Sequence, residues 1–234
     1  MASRKTSRIA APRLRAHLEP AAVVQLDDEA QLIELELTDL DLSEVTAEHV
    51  EISGCRLTRC NLGGSDLDKL NLVDLVLHHC DLANARWADS SATRLAVTSS
   101  RLTGLAGSGM SLQHATVRDS VLDFASFRFA KFVKVEFTEC RLQNADFVSA
   151  DLSGTMFRRC DLTAVEFSQA KASGAVFVDC QWEGARGIGS LAGATIANSS
   201  PTDNLTVAAA MAWALNITLA DPLDHPEDPD PVGA

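Results

Sequence analysis

No stretch of the 234 residues is apolar over the roughly 20 positions that a membrane-spanning helix needs. A soluble protein with no membrane partner is the expectation. Lys and Arg are missing between residues 20 and 52, and the whole chain carries a formal charge of −12. This balance argues against nucleic acid as a direct ligand, because phosphate binding relies on basic side chains. The glycine-rich stretch GLAGSGMSL, residues 104–112, lacks both the lysine of a phosphate-binding loop and the spacing of a nucleophile elbow; it reads as a locally thin core at Gly107. The basic N-terminus, with Arg4, Lys5, Arg8, Arg13 and Arg15, has no apolar run behind it that could serve as a secretory signal. Residues 1–25 are therefore expected to form a flexible arm. The protein is expected to stay in the cytoplasm, with its six cysteines reduced.

What the sequence does contain is a period. In FASFRFAKFVKVEFTECRLQNADF, residues 124–147, Phe127, Phe132, Phe137, Leu142 and Phe147 stand five apart, which suits neither a helix nor a strand. Stepping by five in both directions carries the register from Leu37 to Trp182 without a slip, with Ala47, Ala92, Gly107 and Ala172 as weak centres. Two residues before each centre runs a second stripe of small or medium side chains, and all six cysteines fall on it. Chance placement would have odds on the order of (1/5)⁶, so the thiols are placed for packing.

The units CNLGG, SDLDK, CDLAN, ADFVS, ADLSG and CDLTA resemble the pentapeptide-repeat family, with Leu or Phe at the centre of each five. The resemblance covers about residues 30–192 and implies an all-β fold, a right-handed quadrilateral β-helix with four pentapeptides per coil. The physics agrees: two inward side chains per side, followed by a corner, bury a continuous core once coils stack. A 20-residue step also aligns like with like. Leu62, Leu82, Leu102, Leu122, Leu142 and Leu162 make one column, and Phe137 joins another that begins Leu37, Leu57, Leu77. These residues, with Phe127, Phe132 and Phe147, are the expected core of about eight coils over residues 26–192. Cys140, Cys160 and Cys180 are expected to be interior neighbours with free thiols.

Residues 193–219 read as a C-terminal cap. Ser200 as N-cap, Pro201 and Asp203 start a helix whose apolar face would hold Leu205, Ala208, Ala209, Ala212, Trp213 and Leu215. The helix would close the solenoid or make a homodimer contact, and residues 220–234 would be an acidic disordered tail.

The histidines do not converge on a metal site, and a convex rod gives its carboxylates no pocket for acid/base work. No catalytic residue, cofactor or metal is assigned, and the chain is expected not to be an enzyme. The charge is uneven, with Glu34, Glu36, Asp39, Asp41, Glu44, Glu48 and Glu51 in the stretch that lacks bases. These seven are the candidate partner-binding residues. The first expectation is an interaction scaffold for a protein partner, since fold does not fix function. The alternative comes from the resemblance: some family members mimic DNA and bind DNA gyrase or topoisomerase IV, inhibiting the enzyme or protecting it from quinolones or toxins. Against extended mimicry, the charge here is gathered at one end, whereas DNA carries one charge per roughly 1.7 Å along its axis.

Overall fold

In the computed structural model, which describes residues 9–197 and 207–208, the chain winds into an all-β parallel solenoid of about nine turns. Partners in the stack are 20 residues apart: Gln31 opposite Glu51, Asn71 opposite Ser91, Ser111 opposite Lys131, Glu136 opposite Met156. At about 4.8 Å per coil the rod is roughly 40 Å long. The stack starts earlier and ends later than expected. Strand Glu19–Ala21 pairs with Leu35–Leu37 at an offset of 16, and strand Thr195–Ala197 pairs with Val176–Val178 at an offset of 19.

The five-residue side accounts for its own backbone. The residue before each centre donates one coil back, as Asn61 N–H does to Leu40 O, while the centre donates one coil forward, as Leu62 N–H does to Asp81 O. At each corner the residue two past the centre is left-handed, and its N–H also donates forward, as Asp39 does to Thr58 O. Among the described residues every non-glycine residue with positive φ has a number ending in 4 or 9, from Glu29 to Asp179. A turn with this handedness every fifth residue makes the chain change direction at every centre-plus-two position, which is why the period is five. The left-handed region costs an L-residue about 1–2 kcal/mol, so the fold carries this strain at corner after corner and offsets it by the core.

That core is continuous. Leu62, Leu82, Leu102, Leu122, Leu142 and Leu162 are all buried, as are Phe127, Phe132, Phe137 and Phe147. Apart from Trp87 the interior is aliphatic towards the N-terminus, and phenyl rings join it from Phe127 onward. Phe137, Phe157 and Phe177 stack at 5.0 and 4.9 Å with interplanar angles of 8° and 5°. Phe127, Phe147 and Phe167 form a second stack, and Trp182 closes both, edge-on to Phe177 and tilted against Phe167. Gly107 is not a void: a Cβ there would meet the Phe127 ring at 3.3 Å and the Met110 sulfur at 3.4 Å, so the next coil's ring fills the space.

All six cysteines are free and buried. Each thiol donates to main-chain carbonyls, as Cys140 does to Val117 O one coil back at 3.3 Å. The neighbouring Cys160 thiol, and then burial, push the Cys140 and Cys180 thiols up from the usual range. Of the expected C-terminal helix, only Val207 and Ala208 are among the described residues. Both are helical and Val207 is buried. The capping, dimer and tail expectations otherwise lie outside the described residues.

Candidate interaction surfaces

A 20-residue coil makes residue i+20 the spatial neighbour of residue i, and the surface charges follow that rule. Glu36 pairs with Arg56, Asp39 with Arg59, Asp66 with Arg86, Asp74 with Arg94 and Glu139 with Arg159. In each of these pairs the acid precedes the arginine by one coil.

The seven acids singled out from the sequence all lie on the N-terminal coils, but most of them are not bare. Glu34 meets Arg15 at 2.6 Å, Glu36 meets Arg56 at 3.3 Å, and Glu48 meets Lys69 at 2.7 Å. Asp39 takes two hydrogen bonds from Arg59, which hold its carboxyl below the usual range. Asp41 is lowered by the Ser43 hydroxyl and amide, and also accepts from Asn61. Among the described residues only Glu44 and Glu51 of the seven have no charged or hydrogen-bonding side-chain partner. A window read along the sequence finds no base between 20 and 52. The fold supplies them from the next coil and from the N-terminal arm.

The arm itself is a correction. Residues 9–21 do not hang free; they are tied at three points along one corner of the rod. Ala10 N–H donates to His114 Nδ1 at 3.0 Å, Arg13 N–H to Asp74 Oδ1 at 2.7 Å, and Glu19 N–H to Glu34 O at 3.1 Å. Glu34, Asp74 and His114 are corners of a single column, spaced by 40 residues. Burial, then Lys134 and Arg94, holds the His114 imidazole below its ordinary pKa. It therefore stays neutral and able to accept.

Phe124 and Phe129 were not singled out by the sequence reading. They occupy successive corners of one coil, with φ of 58° and 59°, and are 63% and 65% exposed. The Arg128 guanidinium lies 5.9 Å from the Phe129 ring. Elsewhere the left-handed corners carry polar residues, glycine or Ala164. The signal was present in the sequence: two large apolar residues at a phase that is otherwise polar or small.

Parallel pairing at i+20, four corners per coil and two inward side chains per side define a quadrilateral β-solenoid with charge-paired outer faces. The chain is a pentapeptide-repeat protein: the family model "Pentapeptide repeats" matches in eight copies, over residues 55–86 and 140–179. Among solved structures it is similar to full-length QnrB1, a plasmid-mediated fluoroquinolone resistance protein, at 20% identity and a TM-score of 0.37, covering 84% of this chain and 98% of that one. It is also similar to HetL from the cyanobacterium Nostoc sp., a pentapeptide-repeat protein involved in heterocyst differentiation regulation. That likeness has 18% identity and a TM-score of 0.31, covering 72% of this chain and 87% of that one. The comparison with curated proteins finds no match.

Proposed function

We propose that this protein is a non-enzymatic interaction scaffold that holds a protein partner on the corner pair Phe124 and Phe129. The observation that carries this reading is their double disadvantage to the fold. A bulky side chain in the left-handed region is strained, and an exposed phenyl ring gains nothing from burial. Aromatic anchors with a neighbouring arginine are the residues on which binding energy concentrates at protein interfaces. The test is a quantitative pull-down with wild type and a Phe124→Asn/Phe129→Asn variant. A specific partner should be retained by wild type and by a Glu44→Gln/Glu51→Gln control, and lost with the double Asn variant. Partners retained equally by all three would refute the assignment.

A second reading, DNA mimicry towards gyrase or topoisomerase IV, is favoured by the net charge of −12 and by Glu44 and Glu51, which lack ion pairs among the described residues. The ladder of acid–arginine pairs weakens it, because paired charges project little field. A supercoiling assay decides. Inhibition that disappears in Glu44→Gln/Glu51→Gln supports mimicry, and no inhibition at micromolar protein rejects it.

A further inference from the structure

Beside the docked arm lies an open cleft of about 730 Å³. Ile9 and Pro12 of the arm make one wall. Ala96, Thr116, Glu136 and Met156 make the floor, each one coil from the next. The cleft therefore runs about 14 Å along the rod, the span of roughly four extended residues. Arg118, Lys134 and Arg158 line it as well. Glu136 is engaged by Arg118 and by the Thr138 hydroxyl. Lys134 and Arg158 have no carboxylate partner among the described residues, in a molecule where most arginines do.

We infer that this cleft binds an extended acidic peptide segment of a protein partner, a surface separate from the Phe124/Phe129 corners and independent of that reading. The corner column explains the preference. Where it presents acceptors, at Glu34, Asp74 and His114, it already holds the arm with Arg13 and Arg15, through main-chain donors and one ion pair. Arg94 is a corner of this column too, but Asp74 takes its charge; past Ile9 the column presents a cation with no carboxylate partner among the described residues. The next corner is Lys134, and the one after is Gly154, where an added Cβ would meet nothing within 4 Å. The same track therefore switches from hosting a basic segment to presenting cations with open space beside them. The chain's own residues 1–8 contribute Arg4, Lys5 and Arg8, the wrong sign for this lining. Apolar side chains alternating with the acids would meet Met156, Ala96 and Ile9 on the floor and wall.

The probe is a fluorescein-labelled eight-residue peptide alternating Asp with Val, titrated into the full-length protein at low salt and followed by anisotropy. Saturable binding is expected, weakened at least tenfold by Lys134→Glu/Arg158→Glu and abolished when Asn replaces every Asp in the peptide. The Phe124→Asn/Phe129→Asn variant should bind it as wild type does, so failure here and failure of the proposed function are told apart. An unchanged melting temperature certifies the charge-reversal variant; if it melts early, Lys134→Gln/Arg158→Gln replaces it. No binding by wild type, equal binding by the variant, or equal binding of the Asn peptide overturns the inference. So does carbodiimide coupling that joins Lys134 to a carboxylate of residues 221–230 in the same chain, because the cleft would then be occupied from within.

Discussion

Thr155 shows what a single position in this repeat demands. It sits on the inward stripe, fully buried, and its hydroxyl has no hydrogen-bond partner. Val135 and Val165 hold the same phase and are equally buried. Thr155→Val keeps the shape and removes an unsatisfied polar group, so it should stabilise by about 1 kcal/mol, read as a raised midpoint in urea unfolding. The opposite substitution of type, Leu122→Asp, places an unpaired charge at a site 1% exposed and should cost several kcal/mol. A soluble Leu122→Asp protein with a normal melt would contradict the register. The cysteines make the third residue-level case. Their thiols are buried and bonded to carbonyls, so a thiol reagent should find almost none in the native protein and six equivalents after denaturation without reductant.

Among the elements, the arm is the one whose attachment depends on pH. His114 accepts the Ala10 N–H only while its Nδ1 is unprotonated. Its folded pKa lies below the usual imidazole value, with Lys134 and Arg94 facing it and Asp74 engaged by Arg94 and Arg13. A depressed pKa means that the docking energy is whole above the unfolded value, about 6.5, and drains away as pH falls through the folded one. Asp74 is also lowered, first by its hydrogen bond to Arg94, and keeps its share until far more acid pH. Amide hydrogen exchange at Ala10 should therefore lose protection as pH falls below the ordinary imidazole value, while core amides such as Leu122 keep theirs. Protection at Ala10 that tracks the core at every pH would show that His114 does not hold the arm. None of this was legible in the sequence, because the arm docks mainly through backbone donors, which carry no side-chain signature. The columns were legible for the opposite reason: Leu37, Leu57 and Leu77 must be apolar to lie on the axis. The ion pairs stood between these cases. Glu36 and Arg56 are visible as partners once charges are counted at a step of 20, and invisible in a window along the chain.

For the molecule as a whole, the step of 20 is the unit of tolerance. Removing residues 72–91 would join Asn71 to Ala92 with every inward phase and column intact, and should give a folded rod one coil shorter. Removing 72–89 puts the following centres, Ala92, Val97 and Leu102, at the corner phase and should not fold; far-UV circular dichroism and melting distinguish the two. The same step bears on how quickly the chain finds its fold. Sheet proteins are usually slow folders because their strands come from distant parts of the chain. Here the strands that pair are about 20 residues apart in a chain of 234, a relative contact order of about 0.09, the range of helical bundles. Each finished coil is also a template for the next. This all-β rod should therefore refold on the millisecond scale or faster in stopped-flow, by extension from whichever coil closes first, with no search between its ends.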